Sequence, residues 1–196
     1  RIIADPTSPY AINGAMALGR AIDDLIITAA TGTSLTGEDG TTSTTFPAGQ
    51  TAGTTAGGLT IAKLREAMQL LIAAEVDVDN EPLWCAIGAQ QHDDLLGQTQ
   101  AVSLDFTNKP VLVDGRIRAF MGFNFIDSQR LALSGTDRTV VTWAQSGLHL
   151  GLWNDINVQI SDRADKSYST QVYVKGTFGA TRIEEKKVVA ITCSEA

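Results

Sequence analysis

Histidine, cysteine and clustered positive charge are scarce in this sequence, and each scarcity closes off a class of function. Two histidines and two cysteines in 196 residues leave little from which to build a metal centre or a nucleophile with its base. The 15 basic residues are outnumbered by 22 acidic ones, giving a net charge of −7 and a pI near 4.7, and no basic run exceeds Lys186-Lys187. Such a surface repels phosphate, which speaks against a tight sequence-independent grip on nucleic acid. No apolar run approaches the roughly 20 residues that cross a bilayer. No basic stretch leads into an apolar one near the N-terminus, so neither a membrane span nor a signal peptide is expected. The 18 glycines form neither GxGxxG nor GxxxxGK followed by Ser or Thr, and a phosphate cradle has no support.

What the chain does have is apolar content, 43% of its residues, enough to bury a substantial core in one domain or two small ones. It opens on Arg1 rather than Met, which gives the expectation of a fragment, a processed product or the ordered part of a longer protein. Its clearest element is the stretch Ser8 to Gly32. Ser8 reads as an N-cap and Pro9 as the first helical residue, where a missing N–H costs nothing. Leu18, Ile22, Leu25, Ile26 and Ala29 gather into one apolar stripe about 100° wide, leaving Arg20, Asp23 and Asp24 outside it. Gly32 reads as a left-handed stop. The resulting rod is about 35 Å long. Gly14 and Gly19 each weaken a helix by roughly 1 kcal/mol, so neighbours are expected to hold it in place.

Beyond it, residues 33–58 are dominated by Thr, Gly, Ser and Ala, with Leu35 and Phe46 as anchors. An irregular connection of this length is expected to be mobile or ordered by another surface. A second helix runs from Thr60, its N-cap, to about Ala74. Ile61, Leu64, Ala67, Met68, Leu71 and Ile72 form its apolar face, with Lys63, Arg65, Glu66 and Gln69 mostly off it. Leu83–Ile87 reads as a buried strand ending at Gly88, and a third helix follows over Ala89 to Leu96. From Val111 to Leu131 the pattern is that of strands, with Asp114-Gly115 as a hairpin turn between 111–113 and 116–118. Thr139 to Trp143 adds a strand, and AQSGLHLGLW reads as a short helix broken by Gly147 and Gly151. Ile156–Ile160 alternates cleanly, a charged tip holding Asp162, Arg163, Asp165 and Lys166 intervenes, and Tyr168 to Val174 alternates again. Gly176 and Gly179 mark a bend or bulge before the last strand, 188–191. Long strands joined by a charged tip suggest an antiparallel ribbon packed on a helix, and the first helix is the natural partner.

Few residues offer chemistry. His92, Asp93 and Asp94 crowd together on the third helix, but adjacent helical residues point about 100° apart and do not converge, so a solvated face is the expected reading. His149 lies among apolar residues and reads as packed or hydrogen-bonded. Glu38 and Asp39 in the GEDG turn lack the alternating carboxylates of a calcium loop and read as a simple turn. Cys85 and Cys193 sit in apolar strand-like runs and read as buried thiols, a disulfide being the alternative. No catalytic, cofactor-binding or metal-ligating residue is assigned.

The order of these elements resembles the major capsid proteins of tailed bacteriophages, built on the shell fold first seen in the Hong Kong phage and shared with encapsulins. The likeness is carried by ALGRAIDDLIITAATG in the long helix, by LTIAKLREAMQLL with its VDV turn, and by WCAIGAQQHDDLL. DGRIRAFMGFNFIDSQRL and the closing GTFGATRIEEKKVVAITC complete it. The resemblance implies an α+β fold in which the spine helix 8–31 packs on a peripheral antiparallel ribbon. Residues 1–58 plus 156–196 would form the peripheral domain and 59–155 the axial domain. It implies a structural subunit, not an enzyme and without a cofactor, that self-assembles into the pentamers and hexamers of an icosahedral shell enclosing DNA. Scaffolding, portal and decoration proteins would be further partners, with no specific nucleic-acid binding and no membrane. The site of action would be the virion, assembled in the host bacterial cytoplasm. The family's N-terminal arm and extended hairpin loop would precede the spine helix, where this sequence carries only seven residues before Ser8, so they are either absent from the protein or lie outside this stretch of it. An encapsulin-type compartment shares the fold, while a small α+β enzyme and a tail or decoration subunit are alternatives of other classes.

Overall fold

The computed structural model describes residues 9–53, 57–98, 112–113 and 116–195. The chain divides into two compact units, residues 1–26 with 150–180 and residues 27–149 with 181–196.

The first unit is a helix on a ribbon. Helix α1 runs Pro9–Thr31, with its last turn in the second unit, and its proposed N-cap Ser8 lies outside the described residues. Strands β11 (Leu148–Arg163) and β12 (Ser169–Arg182) form a two-stranded sheet. A connection of five residues, 164–168, joins only antiparallel neighbours. Leu18, Ile22, Leu25 and Ile26 of α1 are half-buried, as are Ile156, Val158 and Ile160 of β11 and Val172 and Val174 of β12. These alternating positions face one way on a strand. Close packing replaces propensity at Gly14, where a Cβ would lie 2.6 Å from Cγ2 of Val174. Two expectations change here. AQSGLHLGLW is a single 3-10 turn, Gln145–Gly147, followed by the start of β11. Gly176 and Gly179 interrupt nothing, because β12 runs through both. Ribbon pairing satisfies the backbone of these glycine-containing segments, which local propensity alone does not order.

The second unit is built on a seven-stranded sheet with the order β3-β13-β10-β4-β8-β7 and β9 beside β10. These are Thr51–Ala52, Val188–Ser194, Asp137–Ala144, Leu83–Ile87, Phe123–Asp127, Ala119–Phe120 and, for β9, Leu133–Ser134. β13 runs antiparallel to β10 and parallel to β3, and β4 runs parallel to β8. The parallel pair needs a crossover, and helix α3 (Ala89–Leu96) begins it. Helix α2 (Ile61–Ala73) packs on β13 and β3. Between helix and sheet lies a core in which Leu59, Leu64, Leu71, Leu83, Phe123 and Ile191 are at most 1% exposed. Thr60 caps α2 by accepting from Lys63 N at 3.3 Å, as its position in the sequence predicts.

Residues 27–58 and 181–196, grouped with the long helix in the sequence reading, belong to this second unit. The reason lies in β13: its run VVAITC is buried at every residue but Thr192, which suits a strand between two others rather than the edge of a one-faced ribbon. Nor are residues 33–58 irregular throughout. Strands β1 (Ser34–Thr36) and β2 (Thr42–Thr44) pair as a hairpin, and β3 joins the main sheet. Gly32 ends α1 without a left-handed φ. A Cβ there would meet Thr28 O at 2.5 Å, so close approach is what calls for glycine. On α2 the expected faces are partly exchanged, with Lys63 5% exposed and Ile72 55% exposed. The pair β5 (Leu112–Val113) and β6 (Arg116–Ile117) confirms the hairpin expected there, while its turn 114–115 lies outside the described residues.

Candidate functional site

The histidine and carboxylate group on α3 does not assemble a centre. Asp93 is exposed. Asp94 turns to accept from Leu59 N at 2.9 Å, and His92 Nε2 accepts from Ile117 N at 3.3 Å. His92 opens onto a depression of about 300 Å³ lined also by Ala89, Arg116, Asp127, Ser128 and Gln129. Asp127 there pairs with Arg116 at 3.4 Å, and Ser128 Oγ accepts from Arg130 N at 3.3 Å. These groups are engaged with one another and with backbone. His149 is exposed on β11, a correction to its packed reading that follows from its strand belonging to a ribbon rather than a core helix. Glu38 and Asp39 are exposed in the β1–β2 turn, where Gly37 and Gly40 take φ of +91° and +61°. Among the described residues no cluster of His, Cys, Asp or Glu could hold a metal ion. No described helix is long and apolar enough to cross a membrane.

Both cysteines are free and buried. Cys85 stands opposite Thr142 and Cys193 opposite Arg138, four residues apart along β10 and therefore offset by about 13 Å. A disulfide requires Cα atoms within about 7 Å. Burial pushes the Cys85 thiol well up, and it pushes Cys193 up to about 11 against the opposing pull of Lys63.

What the surface does offer is apolar area where a lone subunit has no use for it. On the ribbon, Trp153 is 87% exposed, Tyr168 76% and Leu152 55%. Leu152 and Trp153 are adjacent on a strand, so they project to opposite faces, and both faces carry exposed apolar side chains. Beside them is a depression of about 370 Å³ lined by Gly151, Leu152, Trp153, Thr177, Phe178 and Gly179. At the tip Ser167 and Tyr168 hold φ of 52° and 57°, a conformation unfavourable for residues with a side chain. Large exposed aromatics are the groups that anchor protein interfaces. The sequence reading missed Trp153 because it placed SGLHLGLW in a helix. The signal was there in the alternation of polar or small residues with Leu148, Leu150 and Leu152.

Two polar networks hold this architecture, and neither was expected. Arg182, 2% exposed, donates from Nη1 to the carbonyls of Ala30 at 3.0 Å and Gly32 at 2.8 Å, and its guanidinium lies 5.3 Å from the centre of the Phe46 ring. Lys63 Nζ donates to Gly57 O at 2.7 Å and Thr192 O at 2.8 Å.

The described chain is thus an α+β protein whose ribbon exposes the aromatics Trp153 and Tyr168. A family model described as phage capsid protein matches residues 1–195, and the chain belongs to that family. No curated protein matches it. Among solved structures it is similar to a chain of Mycobacterium phage Che8, with 20% identity and a TM-score of 0.67 over 93% of this chain and 61% of that one. A chain of the capsid of Cyanophage P-SCSP1u matches with 17% identity and a TM-score of 0.64 over 98% and 67%. The mature capsid of bacteriophage PhiM1 matches with 12% identity and a TM-score of 0.65 over 96% and 64%. The fold is therefore that of tailed-phage capsids. The chain spans about two thirds or less of the length of these relatives, from 61% to 67%.

Proposed function

We propose that the chain is the greater part of a major capsid protein of a tailed bacteriophage, a structural subunit that self-associates into capsomers of an icosahedral shell around the DNA genome. The observation that carries this reading is the family match over residues 1–195. The exposed aromatics of the ribbon support it, because closed symmetric assemblies gain strength from many modest interfaces. The helix-and-ribbon unit corresponds to the peripheral domain and the seven-stranded unit to the axial domain. The subunit acts without catalysis. It works in the virion after assembly in the bacterial cytoplasm, with pentamers and hexamers as the capsomers and scaffolding, portal and decoration proteins as further partners.

Electron microscopy of particles from the native source tests the reading. Closed, DNA-filled icosahedral particles are expected; enzyme-filled shells would favour an encapsulin, and a dispersed monomer from the full-length protein would overturn it. Trp153→Ser tests the ribbon face. Since Trp153 is 87% exposed, the variant should unfold within about 0.5 kcal/mol of the parent yet lose shell closure. Unchanged particle yield would remove this face from the assembly.

A further inference from the structure

His92 accepts a hydrogen bond at Nε2 from the backbone N–H of Ile117, at 3.3 Å. A ring nitrogen that accepts carries no proton, so the imidazole is neutral with its proton on Nδ1. The donor belongs to β6, which pairs with β5 in a two-stranded sheet separate from the seven-stranded one. Among the described residues, and besides its pairing with β5, three contacts tie β6 to its unit. The side chain of Ile117 is 2% exposed in the core. Arg116 pairs with Asp127 at 3.4 Å, through side chains 67% and 55% exposed, and so contributes little. The third is the imidazole.

We propose that His92 is a proton-operated latch on β6: neutral, it holds the Ile117 amide, and protonated, it releases it. An imidazolium bears N–H at both ring nitrogens and cannot accept. Proton uptake therefore sets two donors face to face and leaves the Ile117 amide without its acceptor.

Charged groups of both signs surround the ring. Arg116 of β6 and Asp127 of β8 line the same depression as His92. On its own helix Asp93 is exposed and Asp94 is bonded to Leu59 N. Arg138 of β10 approaches the start of α3 at Gly88, but its guanidinium is engaged by Glu195. A positive ring is repelled by Arg116 and drawn to Asp127. The same proton that frees the Ile117 amide thus competes for the carboxylate that pairs Arg116, so the Arg116–Asp127 pair weakens along with the imidazole bond. The latch belongs to the single chain and stands independently of shell formation.

Amide exchange measured by NMR at about pH 7.5 and about pH 5.5, each rate divided by the intrinsic rate at that pH, tests it. The Ser128 amide, which donates to Ile87 O at 2.8 Å, serves as the control with a non-titrating acceptor. Relative to Ser128, protection of Ile117 should fall about tenfold on acidification. His92→Gln, whose side-chain oxygen accepts at both pH values, should hold it constant. Nitrogen shifts of the imidazole give a second readout on the unaltered chain, with the proton on Nδ1 expected at the higher pH. Protection of Ile117 that ignores pH, a pH dependence that survives in His92→Gln, or a proton on Nε2 at the higher pH would each overturn the latch.

Discussion

Glu195 accepts from Arg138 at both carboxylate oxygens and from the amide of Gln91, a side chain that is 0% exposed, at 3.1 Å. Arg138, then Gln91, hold this carboxyl below the usual range. A folded-state value lower than the unfolded one gives stability that is present above the unfolded pKa, about 4.3 for Glu, and is lost as pH falls through the folded value. Denaturation midpoints of Glu195→Gln and the parent should therefore differ at neutral pH and converge in acid. A difference that persists in acid would mean that the contact is not ionic. The buried cations show what a sequence hides at this scale. Arg182 and Lys63 look like surface residues, one at a strand end and one on a polar helix stripe. Arg182 holds carbonyls about 150 residues away in the chain, and Lys63 holds Thr192 O, 129 residues away, as well as the nearby Gly57 O; no local pattern announces the distant partners. The carbonyls Arg182 holds are those a helix end leaves without donors, where a cation suits the dipole. Cys85 and Cys193, by contrast, were legible, because apolar neighbours on both sides forecast burial directly.

At the scale of elements, α1 carries a contrast between two glycines of one helix. A Cβ at Gly14 would lie 2.6 Å from Val174, whereas at Gly19 it would meet nothing within 4 Å. Gly19→Ala should stabilise the chain by up to about 1 kcal/mol. Gly14→Ala should lose that gain to overpacking, which costs about 1–3 kcal/mol, and Val174→Ala should restore it. Equal effects in thermal unfolding at the two sites would show that the helix does not press on the ribbon at Gly14. Elements with local grammar were readable from the sequence: α2 from its threonine cap and periodicity, and α3 and β4 from a glycine boundary. Those that depend on a distant partner were not. The start of β11 looked like a broken helix because Gly147 and Gly151 disrupt helical pattern, while its 156–160 stretch was legible as a strand; the pairing that orders the start comes from residues 169–182.

For the whole molecule, the acidic balance of −7 leaves little attraction for phosphate, which is compatible with the proposed place in a shell around DNA. Among the described strands, the threonine-rich hairpin β1–β2 pairs only with itself and carries Leu35 63% exposed, and the proposed assembly would offer a neighbouring copy as its cover. Its amides should exchange more slowly in assembled particles than in free subunits, and equal rates would leave the hairpin outside the interfaces. The overall architecture was legible as helix on ribbon plus a mixed α/β unit. The assignment of the last strand was not, since a run of buried residues says that a strand is central without saying in which sheet.

That last strand also sets an order of events. β13 lies between β3 and β10, parallel to the first and antiparallel to the second, so residues 188–194 are inserted into the middle of the sheet rather than added at its rim. Pairing over such sequence distances is slow and comes late. Until the ribosome has delivered those residues, β3 lacks its ladder partner among the described strands, and α2 lacks β13 beneath it. The seven-stranded sheet therefore cannot close until residues 188–194 have been translated, however early its other strands are made.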